Sequence, residues 1–376
     1  MSTLFFYGTL RHVPLLEIVL GRALAAGEMS RAMVQGFSVR NVQNEDFPII
    51  IQDDSASQAE GLVLRDLSEV DVARLNFYEG GFDYALREIS VQSDRGSEQA
   101  QVYFPEPGKW TPMDQWSLTS WQEKWGSLTC FAAEEAMTYF GTRTDAEFDF
   151  MFPMIRVRAA AKVNAAADNP AYSPSGFTRD DVTDLGTQRP FTGFFGIEEH
   201  NFSFRQYDGK QSAPVKREIF AGTDASIVLP YDPIRDRVML VEQFRPGPYA
   251  RNDATPWMLE PIAGRVDAGE TPEETAYREA EEEAGITLSD LHVVAKAYAS
   301  PGCSTEYFNI FVGAADLPDD IVGINGLESE AEDIKSYLFS FDELMTMIDT
   351  QQAANTPLVL AGLWLARHRD RLRSMA

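Results

Sequence analysis

Three glutamates, Glu279, Glu282 and Glu283, stand at i, i+3 and i+4 within the stretch Gly264 to Ile286, GRVDAGETPEETAYREAEEEAGI. On a helix that spacing puts all three carboxylates on one face about a turn apart, where like charges repel. A solvated acidic helix face is the plain reading of such a cluster. A bound hard cation is the chemical one, and oxygen-only donors from glutamate point to Mg2+ or Mn2+ over zinc. The flanking residues predict the helix that carries the carboxylates. Thr271 suits an N-cap, Pro272 suits the first helical position, and Glu274 completes a Thr-x-x-Glu capping box. The helix should therefore run from Pro272 to Ala284 and stop at Gly285, with Gly264 to Glu270 a loop feeding it.

In its placing of Gly264, Glu270, Arg278-Glu279, Glu282-Glu283, Gly285 and Ile286 this stretch resembles the Nudix box, with the small Ala280 where the pattern asks for a larger aliphatic residue. That resemblance implies cleavage of a diphosphate. Around the box, KREIF, VEQFR, TPWMLE, SPGCSTE and GLESEAEDI occur in that order, and together they resemble the ADP-ribose diphosphatase family over residues 195 to 376. The resemblance implies hydrolysis of ADP-ribose to AMP and ribose 5-phosphate. It makes Glu279, Glu282, Glu283 and the carbonyl of Ala263 ligands of two or three Mg2+ ions, for which Mn2+ can substitute. Arg245 would contact the diphosphate, with Arg217 and Glu218 at the adenosine. Glu330 would deprotonate or orient the attacking water, with Glu332 its neighbour, so that Glu330 and Glu282 are the catalytic candidates of this half. Glu270 and Arg278 would pair structurally. Metal ions lower the pKa of a bound water and neutralise charge on the diphosphate, and a mobile loop can bring the base when substrate is present. The family also implies a homodimer through this domain, with the segment Phe191 to Tyr207 crossing over.

At the other end of the chain, TLFFY at residues 3 to 7 reads as a short buried strand, which Gly8-Thr9 breaks into a turn before Leu10 to Leu20. Such a turn can present successive backbone N–H groups to a carboxylate. FFYGTLR, followed later by LNFYEGGFDY, resembles the gamma-glutamylcyclotransferase-like (AIG2-like) family over residues 1 to 110. By that resemblance Tyr7, Gly8, Thr9 and Leu10 form the substrate loop and Glu79 is the general acid/base. Release of 5-oxoproline from a gamma-glutamyl amine needs the substrate's α-amine deprotonated, and a part-buried carboxylate with a raised pKa can take that proton. Asn76 departs from the acid often found three residues before that glutamate. The pairing of the two halves is similar to bacterial fusions linked to tellurite resistance.

The elements that must position these residues follow from pattern. Residues 1 to 110 read as a mostly β domain, with alternating runs at Glu60 to Leu64 and Arg87 to Val91 and a helical stretch at Asp71 to Tyr78. Residues 111 to 190 read as a helical segment and connector: Trp116, Trp121 and Trp125 sit at helical spacing as packing aromatics, and a short helical piece near Arg156 to Ala167 precedes a Pro-, Asn- and Ser-rich run. Residues 191 to 376 read as the diphosphatase domain. It has a hairpin at Asp208-Gly209, strands at Ala225 to Pro230, Arg237 to Phe244, Trp257 to Ile262, His292 to Tyr298, Tyr307 to Gly313 and Ile334 to Phe339, and two closing helices. The expected fold class is α+β and α/β: a cyclotransferase-like β-barrel with helices, then an α/β/α sandwich with a mixed sheet.

A formal charge of −26 argues against nucleic acid or an anionic membrane as the main partner, so a nucleoside diphosphate would need metal ions and local arginines to hold it. Cys130 and Cys303 lie far apart with no partner pattern, and the apolar start has no basic leader, which together fit a reduced cytoplasm. Two other functions compete with ADP-ribose hydrolysis. One is a sensor that binds a nucleotide without cleaving it, against which stand all four box glutamates; the other is a cyclotransferase with an accessory nucleotide-binding domain. Hydrolysis of another ADP-sugar or of a dinucleotide stays open.

Overall fold

The computed structural model describes residues 2–54, 56–80, 84–167, 172–326 and 332–375. The chain divides into two compact units, Met1–Pro170 and Ala171–Ala376. The segment read from sequence as helical connector is thereby split: residues 112–167 pack with the first unit, and the strand Val182–Thr192 belongs to the second. Among the described residues, no helix is long and apolar enough to cross a membrane.

The first unit is built on a closed five-stranded barrel, in the order Ser2–Phe6, Gln58–Leu67, Met29–Gln35, Tyr84–Ser93, Gly96–Pro105. A parallel contact of Leu4 with Gln101 closes it. Leu4, Phe5 and Phe6 are all buried in succession, as a strand needs when both its faces are covered. Gly61 allows this, because a Cβ there would come within 2.3 Å of the Phe5 ring. The helix Val13–Leu20 buries Leu15, Leu16, Val19 and Leu20, and the helix Glu69–Glu79 starts on a capping box formed by Ser68 and Asp71. Trp116 and Trp121 are core residues, as their spacing implied.

The helix Asp145–Ala167 is 23 residues long, far more than the short piece expected near Arg156, and it contains Pro153. Tertiary packing outweighs the proline. Phe148, Met151, Met154, Ile155, Ala159 and Ala160 are buried, and Arg158 pairs with Glu135 at 2.6 Å, each side chain 4% exposed. The alanines that read as connector mark where this helix packs closely.

The second unit opens with a three-stranded antiparallel sheet, Val215–Ala221, Gly196–Phe204 and Val182–Thr192. Its main body is an eight-stranded mixed sheet. The order is Leu288–Tyr298, Tyr307–Ala315, Asp224–Asp232, Arg237–Phe244, Ile334–Ser340 and Ile324–Asn325, with Trp257–Glu260 added to the fourth strand and Ile262–Arg265 to the third. Asp224–Asp232 runs parallel to Tyr307–Ala315. The two-residue period of a strand serves two layers here. Ile227, Leu229 and Tyr231 pack in the core with residues of the helices Phe341–Asp349 and Thr356–Met375, whereas Val228 packs with the helix Pro272–Ala284. That sandwich holds the glutamate-bearing helix against the strands that precede it.

Candidate functional site

The helix Pro272–Ala284 has the boundaries that its caps predicted. The Thr271 side chain accepts from the Glu274 N–H, Glu274 reaches back to the Thr271 N–H, and Gly285 ends the helix at φ 63° in the left-handed region. Ala276, Ala280 and Ala284 are buried against the sheet, so the small Ala280 is what lets the helix lie close. Gly264 shows how close. A Cβ at that position would lie 1.7 Å from Oε1 of Glu279.

Arg278 organises the surrounding charge. Its Nε and Nη2 each donate to Glu270 at 3.0 Å, and its Nη1 donates to Glu279 at 2.7 Å and to Glu282 at 2.9 Å. The Glu270–Arg278 pair read from the sequence is thus present, and the same arginine also reaches two of the candidate metal ligands. Glu283, 2% exposed, accepts from the Ala263 N–H at 3.2 Å. As the side chains lie, no three metal-ligating groups converge on one point among the described residues.

The electrostatics record crowding. Burial pushes the Glu283 carboxyl up to about 8, with the charges of Glu279 and Glu332 adding to the rise and the Ala263 N–H opposing it. Burial likewise lifts Glu279 to about 7, outweighing the Arg278 contact, while Glu282 and Glu332 raise it further. Glu332 therefore lies within electrostatic reach of both box carboxylates. Three clustered carboxylates, two of them sharing one arginine, offer only oxygen ligands, the set that fits a hard divalent cation, which could bind once Arg278 yields Glu279 and Glu282.

Arg245 stands where the strand Arg237–Phe244 gives way to the short helix Pro246–Arg251. Its charge acts on Glu283 and on half-buried Glu306, and its Nε donates to Glu260 at 2.7 Å. Arg217 and Glu218 are exposed on the outer three-stranded sheet, and neither has a hydrogen bond or ion pair to the box among the described residues. The end of their strand is tied to the loop after Ser300: the Phe220 N–H donates to the Cys303 carbonyl at 2.8 Å, and the Thr305 N–H to the Phe220 carbonyl at 3.0 Å. Glu330 lies outside the described residues. Two acids that the sequence reading passed over, Glu260 and Glu306, also surround Arg245. Only the apolar setting of Glu260 in TPWMLE hinted that this carboxylate is buried.

In the first unit, Glu79 ends its helix with part of its surface open but its carboxyl enclosed, and burial raises that carboxyl to about 8. It has no hydrogen-bond partner among the described residues. Its charge acts on the hydroxyls of Tyr7, Tyr78, Tyr84 and Tyr103, all of which are pushed up chiefly by burial. Tyr7, at the head of the predicted loop, shares a hydrogen bond with Tyr84. Gly8 packs against Pro48, Thr9 opens a single 3-10 turn, and Leu10 is buried. Asn76, which replaces the expected acid, accepts from the Tyr103 hydroxyl at 2.7 Å. An open cavity of about 850 Å³ is lined by residues that include Arg11, Arg31, Met33, Glu60 and Leu118, and Glu79 is not among them.

Comparison with known proteins agrees with this division. Residues 222–359 match the model of the NUDIX domain, and residues 4–123 match that of "Gamma-glutamyl cyclotransferase, AIG2-like". The ADP-ribose pyrophosphatase of Escherichia coli (strain K12) is 36% identical over 205 residues, covering 54% of this chain and 97% of that protein. The ADP-ribose pyrophosphatase of Haemophilus influenzae is 37% identical over 191 residues, covering 50% and 88%. A GDP-mannose pyrophosphatase of Pectobacterium atrosepticum is 29% identical over 156 residues, covering 42% and 79%. The coverage of the Escherichia coli protein, together with the capped helix and its carboxylates, makes the chain a Nudix hydrolase of the ADP-ribose diphosphatase type, carrying an AIG2-like domain at its N-terminal end.

Proposed function

We propose that the chain hydrolyses ADP-ribose to AMP and ribose 5-phosphate with Mg2+, Mn2+ being able to substitute. The observation that carries this reading is the capped helix that sets half-buried Glu279 and buried Glu283 one turn apart, with Glu279 lying close against Gly264 and the charge of Arg245 acting on Glu283. Glu279, Glu282, Glu283 and the Ala263 carbonyl would hold the cation, which when bound activates water and neutralises the diphosphate. Arg245 contacts the diphosphate, Arg217 and Glu218 lie at the adenosine, and Glu330 deprotonates or orients the attacking water, with Glu332 its neighbour in the sequence. The setting is a reduced cytoplasm.

A substrate panel on the intact chain with Mg2+ tests this: ADP-ribose, NADH, diadenosine polyphosphates, GDP-mannose and gamma-glutamyl amines. Fastest release of AMP from ADP-ribose is expected. Binding without cleavage of any diphosphate would replace the hydrolase by a sensor, and faster cleavage of another compound would reassign the substrate.

One observation favours a second activity in the first unit. A carboxyl raised to about 8 with no hydrogen-bond partner among the described residues is suited to accept a proton from an ammonium group. In that reaction the substrate's α-amine attacks its own γ-carbonyl, the amide C–N bond breaks, and the proton taken by Glu79 passes to the departing amine. The Tyr7, Gly8, Thr9 and Leu10 segment would hold the substrate. Release of 5-oxoproline in the same panel is the test, and its absence would leave a binding or scaffolding domain.

A further inference from the structure

Arg245 leaves its strand with 38% of its side chain exposed, and its single hydrogen-bonded side-chain anchor among the described residues is Glu260, whose side chain is 6% exposed. A carboxylate this buried must have its oxygens satisfied. Its other oxygen accepts from Asn355 Nδ2 at 3.0 Å, and the Gln243 side chain hydrogen-bonds to the same group. The donors come from separate elements. Gln243 lies on the strand that leads to Arg245, whereas Asn355 precedes the helix Thr356–Met375 and also accepts from the Leu358 N–H at 3.0 Å. Glu260 is thus held from two directions. The Arg245 backbone is tied as well, through its N–H to the Pro256 carbonyl at 2.9 Å.

This arrangement commits one edge of the guanidinium and leaves the other. With Nε on Glu260, the Nη atoms have no hydrogen-bond partner among the described residues, while the positive charge is felt by Glu283. A planar guanidinium fixed at one edge offers paired N–H donors at the other, the geometry that suits phosphate oxygens.

We infer that Glu260, locked by Asn355 and Gln243, is the positioning residue that sets the free edge of Arg245 against the substrate's diphosphate. The inference rests on the diphosphatase reading above. Glu260 itself touches no reacting atom. Its contribution is orientation, so its loss should weaken binding through Arg245 and through no other group.

Steady-state kinetics on the full-length chain test this with Glu260→Gln, Asn355→Ser, Arg245→Ala and the Glu260→Gln/Arg245→Ala double variant. Serine at 355 keeps an acceptor for the Leu358 N–H and removes the donor to Glu260. Glu260→Gln is expected to raise KM about tenfold and Asn355→Ser about threefold, with kcat within about twofold in both. The double variant should be no worse than Arg245→Ala alone, because an orienting residue has nothing left to orient. Additive losses would overturn the inference. So would an unchanged KM in a folded Glu260→Gln, or a fall in kcat at constant KM. Should Glu260→Gln fail to fold, Asn355→Ser decides, and a wild-type KM there overturns the role. If the wild type does not cleave ADP-ribose, the substrate reading fails by itself, and the same comparison is made on the diphosphate of the panel that it does cleave.

Discussion

At the scale of single residues, the site is a problem of negative charge held out of water. Glu279 and Glu283 cost free energy to ionise where they stand, and what would repay that cost is a cation between them. Changing either to Gln is therefore expected to abolish hydrolysis while the melting temperature holds or rises; wild-type turnover in a folded variant would refute the metal-site assignment. EDTA should stop the reaction and Mg2+ or Mn2+ restore it. Glu330→Gln should lower kcat by about a hundredfold or more with little change in KM. A drop under about threefold would pass the base role to Glu332, whose charge already reaches both box carboxylates. Glu79 offers a test by pH. Its folded pKa of about 8 lies above its ordinary 4.5, so the folded state binds the proton more tightly. The stability this confers is fully present below the ordinary value and is lost as pH rises through 8. In urea unfolding, Glu79→Gln should show its advantage over the wild type growing across that window; parallel curves would mean that the carboxyl is not desolvated.

At the scale of elements, legibility depended on whether the cause was local. The helix Pro272–Ala284 was readable to the residue because its caps lie within the segment they end: Thr271, Pro272, Glu274 and Gly285 need no distant partner. The helix Asp145–Ala167 was not, since Pro153 argues locally against it and its alanines, good helix formers by themselves, run into an Asn-, Asp- and Pro-rich stretch that reads as connector; burial within the first unit outweighs the proline. The site divides in the same way. The Arg278–Glu282 contact follows from i, i+4 spacing on one helix, but Glu260, with Arg245 and Asn355 hydrogen-bonded to it, joins residues with no sequence relation. Gly264 belongs to the readable class by type, although its reason appears only when the helix is docked: with 1.7 Å between a would-be Cβ and Glu279, Gly264→Ala must push that carboxylate aside. We expect that substitution to remove most of the activity with a modest loss of melting temperature. Thr271→Ala, by contrast, should cost about 1 kcal/mol of stability and leave kcat nearly intact. Equal kcat values for Gly264→Ala and wild type would show that the helix has slack which the geometry denies.

At the scale of the whole molecule, the outer sheet of the second unit leaves unexplained apolar surface. Val182, Leu185, Phe191, Phe194, Phe195 and Phe204 are all exposed on or beside its strands Val182–Thr192 and Gly196–Phe204. Scattered exposed aromatics are ordinary; several on one small sheet mark an interaction surface. We expect a second copy of the chain to cover it, with Arg217 and Glu218 on the neighbouring strand brought to the partner's nucleotide, since within one chain they have no hydrogen bond or ion pair to the box among the described residues. A charge of −26 on each copy opposes that association. The apolar surface must supply the attraction, and added salt should strengthen the dimer by screening the repulsion. Sedimentation at micromolar protein is expected to show a dimer whose dissociation constant falls as salt rises. Phe191→Ser together with Phe204→Ser should shift the chain toward monomer and raise KM for ADP-ribose, because the adenosine contacts from the partner go with it. A fully active monomer would assign the exposed phenylalanines, and Arg217 with them, to some other contact.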